Sequence, residues 1–361
     1  LEEQTFSQKI IQWYQAHYRD LPWRHTLDPY RIWLSEVMLQ QTRVAQGLPY
    51  YQRFVEAFPT VHDLAKASEQ EVLRLWQGLG YYSRARNLHA CAKTIVADYD
   101  GKFPESYQEL IKLKGVGAYT AAAIASFAFN ETVPVVDGNV YRVLSRVFGI
   151  KEDILSTSGQ KKFREVANQL VPDGKANVYN QAIMEFGALQ CTPATPACLL
   201  CPVADNCYAY QHGKQKELPV KIKKTKVRHR YLHYLVVKMD GQLLMKQRQG
   251  KDIWTGLYDF YLIETRQPQG WEQLDDLFLA ELLQQSPTVE KSKKYQHQLS
   301  HQKLHVIFYT LTLSSNLVQE NLSLPGQFYS ADEVEQLPKP ILIDNFLREG
   351  TSRTEYFSKL L

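Results

Sequence analysis

Two carboxylates stand where the surrounding pattern gives them no ordinary surface partner. The run DPYRIWLSEVMLQQ opens with Asp28 and Pro29, residue types that suit the N-cap and first position of a helix running to about Gln41. On that helix the neighbours of Glu36 at three and four residues are Ile32, Trp33, Leu39 and Gln40, none of them basic, so a surface i,i+4 ion pair lacks its cation. A carboxyl among apolar neighbours holds its proton to higher pH and suits general acid work. A solvated glutamate is the other reading that the pattern leaves open. Asp137 follows the apolar run Val133–Val136 and precedes GNVYRVLSR, a helical pattern. Capping that helix is its plainer role, and a partly buried Asp at a helix start is expected to stay ionised. One protonated and one ionised carboxylate are what breaking a glycosidic bond requires: the acid protonates the leaving group and the carboxylate stabilises the sugar cation.

Four of the five cysteines, Cys191, Cys198, Cys201 and Cys207, fall in the pattern C-x6-C-x2-C-x5-C, while Cys91 stands alone in a helical stretch. Without a visible secretory signal a disulfide framework is not expected, and clustered thiols point to a metal site. Only Cys198 and Cys201 form the short pair usual in structural zinc sites, so spacing leaves zinc and a [4Fe–4S] cluster both open.

Leu110–Ala123 reads LIKLKGVGAYTAAA. A helix ending near Lys112, a Gly-Val-Gly hairpin and a second helix from about Ala118 would bring Gly115, Val116 and Gly117 close to another surface. Free amides at the new helix start favour a phosphate. An ordinary helix–helix turn is the plainer alternative for G-x-G alone.

The strings LKGVGAYTA, VDGNVYRVLSR, LPWR (Leu21–Arg24), SEVMLQQT (Ser35–Thr42), GLGYYSRARNL (Gly78–Leu88) and the cysteine pattern occur together. In that combination the chain resembles the MutY-type adenine DNA glycosylases of the helix–hairpin–helix superfamily, over nearly its whole length. The resemblance implies a [4Fe–4S] cluster on Cys191, Cys198, Cys201 and Cys207. It also implies excision of adenine opposite 8-oxoguanine from double-stranded DNA. Glu36 would protonate adenine at N7 and later help activate water. Asp137 would stabilise the sugar cation, and Tyr119 and Asn139 would line the centre. Trp23 and Arg24 would bound the adenine pocket, with Gln181 reading the base edge of a nucleotide flipped from the stack. Gln41 and Tyr81 would wedge into the duplex, and Thr42 and Leu79 would contact the oxidised guanine. Bifunctional relatives carry a Lys where Tyr119 stands. A phenol forms no Schiff base, so a monofunctional glycosylase is expected.

The segments YLVVKMDGQLLMKQR and GLYDFYLIE resemble a Nudix fold. GWEQLDDLFLAELL (Gly270–Leu283) lacks the glutamate-rich helix that holds metal for pyrophosphate hydrolysis, so a lesion reader is expected. The family's Phe-Ser-His recognition element corresponds here to Leu299, Ser300 and His301, with Leu in place of Phe.

These groups need two kinds of scaffold. Apolar residues recur at helical spacing before the linker (Ile10, Trp13, Tyr14; Trp33, Val37, Met38; Leu73, Trp76; Val140, Val143, Leu144, Val147). After it, Tyr231–Val237 and Leu243–Met245 read as strands about the turn Asp240-Gly241, and His305–Leu313 as another. Phe278–Leu283 and Ile343–Leu347 read as helices. The expected architecture is multidomain: an all-α helix–hairpin–helix domain (1–216, hairpin 110–123, cysteine loop 191–207), a linker (217–230), and an α/β Nudix-like domain (231–361). At 361 residues the chain is long enough for two cores. Its net charge of +4 divides unevenly: 23 basic and 21 acidic side chains in 1–216, 6 and 1 in 217–230, and 13 and 16 in 231–361. The linker reads as a solvated tether or as a strap along phosphates. The uncharged stretch Gly115–Asn130 is too short and mild for a bilayer span, so no membrane partner is expected. With no leader visible, the expected setting is a bacterial cytoplasm, associated with the nucleoid, and the expected state a monomer. Two other functions compete. A catalytically silent damage-binding protein is disfavoured by the presence of both carboxylates, and a Nudix hydrolase by the missing glutamate-rich helix.

Overall fold

The computed structural model describes residues 5–222, 227–285, 287–313 and 324–349. The chain forms two compact units: Leu1–Lys66 with Asn87–Lys223, and Ala67–Arg86 with Lys224–Leu361.

The first unit is helical. Its elements are α1 (Phe6–His17), α2 (Pro29–Leu39), α3 (Val44–Ala57), α4 (Val61–Lys66), most of α6 (Ser83–Tyr99), α7 (Tyr107–Leu110), α8 (Ala118–Phe129), α9 (Gly138–Phe148), α10 (Thr157–Leu170), α11 (Ala176–Leu189) and α12 (Tyr208–Gln211). As expected, Asp28 caps α2 by accepting from the Tyr30 amide, with Pro29 at its first position. The uncharged stretch proves to be α8, buried continuously from Thr120 to Phe127 and packed against α2 and α11. Its alanines permit that close approach on every side, so the stretch is apolar because it is a central helix. Among the described residues no helix is long and apolar enough to cross a membrane. A second core gathers Ile10, Trp13, Val143, Leu144, Phe163, Tyr179 and Phe186 from α1, α9, α10 and α11.

Between α8 and α9 the backbone runs extended through Val133–Val136 without a strand partner, and Asn180 of α11 replaces one. Its Oδ1 accepts from the Val135 amide (3.0 Å), and its Nδ2 donates to Val133 O (2.8 Å) and Ser126 Oγ (2.9 Å). This fixes the approach to Asp137. The first residues of the expected linker lie against the same unit. The Arg146 guanidinium donates to Leu218 O, and the Ile154 amide to Val220 O. Leu218 is buried, so residues 217–222 do not stand off as a tether.

The second unit holds α5 (Glu69–Leu75), the N-terminal turn of α6 and a mixed sheet. The strands are β1 (Arg228–Met239), β2 (Gln242–Gln247), β3 (Tyr258–Asp259), β4 (Tyr261–Thr265), β5 (Thr288–Lys291), β6 (Tyr295–Gln298), β7 (Gln302–Leu313) and β8 (Gln327–Tyr329). β1 pairs parallel with β7 from Arg228↔Gln302 to Met239↔Leu313, and antiparallel with β4 and β2. Asp240 and Gly241 both take positive φ in the β1–β2 turn, as Asp-Gly hairpins demand. α13 (Leu277–Gln284) buries Phe278 and Leu282 on the face carrying Leu235 and Leu311. α15 (Ile341–Arg348) stacks Phe346 on Phe308 of the other face, with α14 (Ala331–Gln336) before it. Covered on both faces, β1 reads as a nearly continuous apolar run.

The sequence reading puts Ala67–Arg86 in the helical domain; in the structure this segment packs with the sheet. Gln70 Nε2 donates to the Tyr258 hydroxyl (2.7 Å), and Gln77 Oε1 accepts from the Lys339 amide (3.0 Å). Gly256, at φ +84°, leaves a Cβ position only 3.1 Å from Leu73 Cδ1, so the backbone approaches α5 directly. Replacing Asn180 by Ala strands the buried Val135 N–H and takes away the partner of the half-buried Val133 C=O. The expected loss is about 2–4 kcal/mol in urea unfolding; an unchanged midpoint would show that the extended run does not depend on it.

Candidate active site

One cavity of about 180 Å3 in the helical unit collects the residues that the sequence singles out for chemistry. It is smaller than the ~300–1,000 Å3 typical of drug-sized ligands. Glu36, Tyr119, Asp137, Asn139, Trp23, Arg24, Gln181 and Thr42 all line it, although they come from positions 23 to 181. Each is set there by a short local rule. α2 presents Glu36 from an almost wholly buried face. The hairpin turns through Gly115 (φ +80°), where a Cβ would sit 2.7 Å from Asn87 Cβ, and α8 then starts at Ala118 so that Tyr119 faces inward. Asp137 caps α9.

Glu36 is only 7% exposed. Burial lifts its carboxyl to about 7, opposed by the hydrogen bond that the Tyr119 hydroxyl donates to Oε2 (2.5 Å); the Asp137 charge adds to the rise and Arg24 opposes it. Tyr119 itself is held well above its usual range, first by burial and then by Glu36, so the phenol keeps its proton as a donor. Asp137 Oδ1 accepts from the amides of Asn139 (2.9 Å) and Val140 (2.8 Å), and Oδ2 from Asn139 Nδ2 (2.7 Å). The cap that the sequence suggests is therefore present, in a buried setting. Burial moves this carboxyl above the usual range, against the restraint of its three donated hydrogen bonds and Arg142.

Two polar networks behind the cavity carry residues that the sequence reading passed over. Arg142 Nη2 donates to Asn139 Oδ1 (2.8 Å) and Gly187 O (2.6 Å), while its Nε donates to Cys191 O (2.8 Å). Glu185, 1% exposed, accepts from the Arg19 amide and guanidinium and from Arg24 Nη2 (2.6 Å). Burial alone would raise this carboxyl, yet the two arginines hold it below the usual range. The signal for Glu185 was present: a lone acid in the apolar run AIMEFGAL, one turn beyond Gln181.

The four clustered cysteines line a second, small cavity together with Arg146, Val147 and Phe186. Arg146 Nη1 lies 3.4 Å from Cys191 Sγ and also donates to Thr192 O. Burial pushes the Cys201 thiol up to about 11, and repulsion from Cys191, Cys207 and Cys198 adds to the rise. Four thiols sharing one apolar cavity, with a guanidinium beside them, fit a group bound by thiolates. Among the described residues no three His, Cys, Asp or Glu side chains are grouped to hold a single metal ion. Cys91 is buried apart from this site.

The remaining sequence-singled residues lie outside the cavity. The Val116 amide is taken by Leu113 O and its side chain is buried. The exposed hairpin positions are Gly115 and Gly117, whose amides find no acceptor among the described residues. Gln41 is exposed at φ +55°. In the second unit Tyr81, at φ +49° and exposed, hydrogen-bonds through its hydroxyl to Ser300 Oγ. Positive φ at bulky non-glycine residues is uncommon and clusters at functional positions. Leu79, by contrast, is 4% exposed, so its side chain belongs to the packing. Leu299, Ser300 and His301 form the β6–β7 turn, closed by Leu299 N to Gln302 O (2.8 Å), with Ser300 and His301 exposed. Arg230 braces its base by donating to Asp252, Glu264 and Gln302.

The buried Glu36 carries a testable cost. Its folded pKa stands near 7 against an ordinary 4.5, so the unfolded chain ionises first. Stability from the buried acid is complete below about pH 4.5 and is lost as pH rises to 7; the deficit above is about 3 kcal/mol. Glu36→Gln should therefore be more stable than the parent at pH 8 by up to that amount, and nearly equal at pH 4.5, in paired urea titrations. Equal stability at both would show a solvated carboxylate.

Comparison with known proteins agrees with this geometry. Residues 34–172 match the HhH-GPD superfamily of base excision DNA repair proteins, and residues 232–349 match the NUDIX domain. The chain is 33% identical over 341 residues to an adenine DNA glycosylase of Buchnera aphidicola subsp. Schizaphis graminum, covering 93% of this chain and 96% of that one. It is 45% identical over 226 residues to the human adenine DNA glycosylase, covering 60% of this chain and 41% of the human one. Among solved structures, a thermostable thymine-DNA glycosylase aligns with a TM-score of 0.53 at 32% identity, over 57% of this chain and 95% of its own. An endonuclease III in a non-covalent DNA complex shares the fold, with a TM-score of 0.50 at 23% identity, over 58% of this chain and 95% of its own. A relative matched at this identity over nearly the whole of both chains, with both family models in the same order, fixes the membership: the chain belongs to the adenine DNA glycosylase family, enzymes of base excision repair.

Proposed function

We propose that this enzyme removes adenine lying opposite 8-oxoguanine in double-stranded DNA and leaves the abasic strand uncut. The observation that carries the reading is Glu36, a buried acid with a pKa near 7 facing Asp137 across one base-sized cavity. The flipped adenosine enters between Trp23 and Arg24. Protonated Glu36 gives its proton to N7, the C1′–N9 bond breaks with its electron pair going to N9, and neutral adenine departs. Asp137, steered by Asn139 and Arg142, faces the cationic C1′. Glu36, now ionised, takes a proton from the water that adds to C1′. Tyr119 donates to Glu36 throughout and holds it on the pocket side. No amine stands at this position to attack the sugar, which supports the monofunctional reading.

The amides of Gly115 and Gly117, with Val116 anchoring the turn, are assigned to the DNA backbone. Gln41 and Tyr81 serve as wedges and Thr42 as a lesion contact. Leu79 can contribute only through its main chain, its side chain being packed away. The Ser300 hydroxyl and His301 read the oxidised base from a braced turn, and Leu299 gives it an apolar edge. α13 has a single carboxylate, Glu281, which supports reading over hydrolysis. The domain limits 1–216, 217–230 and 231–361 remain our functional division. We take the enzyme to act as a monomer on nucleoid DNA in a bacterial cytoplasm.

HhH-GPD relatives of the endonuclease III type generally carry a [4Fe–4S] cluster. Here Cys191, Cys198, Cys201 and Cys207 would hold it, and when bound it would staple the 191–207 loop. Iron and acid-labile sulfide in the purified protein are expected; a colourless protein holding zinc would overturn the assignment.

Single-turnover assays on a duplex with adenine opposite 8-oxoguanine test the reaction. Adenine release without strand breaks until alkali is added is expected, with a loss of at least about 100-fold in Glu36→Gln. Strand cleavage without alkali would sink the monofunctional claim. The rate should fall as pH rises through about 7, because the acid loses its proton, and on the acid side above the ordinary Asp range, because Asp137 gains one.

A further inference from the structure

Two side-chain amides line the base cavity; that of Asn139 is bonded to Asp137 and Arg142, so Gln181 is the one whose orientation decides what it offers a base, since its carbonyl accepts and its NH2 donates. Tyr14 of α1, half-buried, hydrogen-bonds to that amide. Its hydroxyl lies 3.4 Å from Arg24 Nη1 and 3.3 Å from Gln181 Oε1. A guanidinium only donates, so the Tyr14 oxygen accepts from Arg24 and its single proton goes to Gln181. That pins the amide carbonyl against Tyr14 and leaves Nε2, with no partner among the described residues, as the free end. Arg24 cannot turn to compensate: Glu185 holds its other nitrogen at 2.6 Å, and its guanidinium lies 5.5 Å from the centre of the Tyr14 ring. Glu185 in turn accepts four hydrogen bonds on two oxygens and has no free site for a base.

We infer that Tyr14 is a specificity-determining positioning residue, which through the chain Glu185–Arg24–Tyr14–Gln181 fixes the Gln181 amide with its NH2 toward the adenine ring nitrogen N1. This deepens the base-edge role of Gln181 proposed above and rests on it. Adenine presents an unprotonated N1 that a fixed donor matches. Guanine and hypoxanthine present N1–H, which would meet that donor head-on and leave two buried donors unpaired. Phe at position 14 would keep the ring beside Arg24 and Tyr18 and lose only the hydroxyl, so Gln181 would be free to flip.

The test compares single-turnover release of adenine and of 1-deazaadenine, in which C–H replaces N1, from otherwise identical duplexes. The wild type should prefer adenine about tenfold after the intrinsic difference in leaving-group reactivity is set by Gln181→Ala. Tyr14→Phe should lose most of that preference by slowing on adenine while holding its rate on the analogue, and Tyr14→Phe in the Gln181→Ala background should add nothing. A purely structural loss would slow both substrates equally. A preference unchanged by Gln181→Ala would remove the reading of Gln181 and the inference with it. A preference lost in Gln181→Ala but intact in Tyr14→Phe would overturn the inference alone, as would an equal slowing of both substrates by Tyr14→Phe.

Discussion

A carboxylic acid keeps its proton near neutrality only where water is excluded and no cation pairs with it. Glu36 meets both conditions, and much of the helical unit serves them. α2 is buried on nearly its whole circumference, so the third turn, which carries Glu36, is shielded from solvent. α8 is built of alanines, which lets it lie close against α2 and bring Tyr119 to the carboxyl as a neutral donor. A basic residue in Tyr119's place would stabilise the ionised form and disarm the acid at the pH where it must work. A lysine there would also introduce an amine, so in the proposed mechanism one residue choice governs both the protonation state of Glu36 and the absence of a covalent amine route.

The second carboxylate answers the opposite demand. In the proposed reaction Asp137 faces a developing cation, so it needs fixed orientation and enough donated hydrogen bonds to favour charge. The N-cap supplies two amides, and Asn139 a third bond. Asn139 is held by Arg142, and Arg142 by the carbonyls of Gly187 and Cys191. The cysteine loop therefore bears on the reactive centre mechanically, through the carbonyl of its first cysteine. Loosening that loop would let Arg142 and then Asn139 drift before any catalytic residue changed. Burial nevertheless wins over these bonds in sign, because a cap donates to one edge of a carboxylate while the cavity desolvates the rest. Burial raises both carboxyls, but one hydrogen bond from Tyr119 opposes it at Glu36 and three donated bonds oppose it at Asp137, a difference that favours acid and anion side by side in one small cavity.

Much of this was legible in the sequence because the signals were local. Glu36 lacked a cation at helical spacing, Asp28 and Asp137 stood at cap positions, and Gly115 and Gly117 marked a turn. Asp240-Gly241 announced a hairpin, and β1 and β7 announced themselves by apolar runs. What could not be read is what depends on distance along the chain. Asn180 replaces a strand partner for residues 45 positions earlier. Tyr14 reads as one more member of the Ile10–Trp13 stripe, and it does pack there, but its hydroxyl acts on Gln181, 167 residues away. The grouping of Ala67–Arg86 with the sheet was hidden for the same reason. Helical periodicity shows that α5 has an apolar face without showing which core receives it, and the receiving signal was Gly256, a single missing Cβ.

That grouping changes what the second unit is. Tyr81 arrives on a segment that precedes most of the catalytic residues in the chain, yet it folds with the sheet and bonds to Ser300 in the β6–β7 turn. Both ends of this contact are braced: the turn by Arg230 through Gln302, and the Tyr81 segment by Gln70, Gln77 and the close approach of Gly256. An aromatic ring and a hydroxyl recruited from distant parts of the sequence are thereby held in one compact unit. Leu299 gives up the ring that a phenylalanine would place in that turn. Tyr81 supplies an aromatic face beside the same serine, so the turn loses stacking surface without the unit losing it. In the proposed reading of the lesion, discrimination by hydrogen bond needs the donor fixed more than it needs the wedge broad, and the bracing of Ser300 is the part of this arrangement that the substitution leaves untouched.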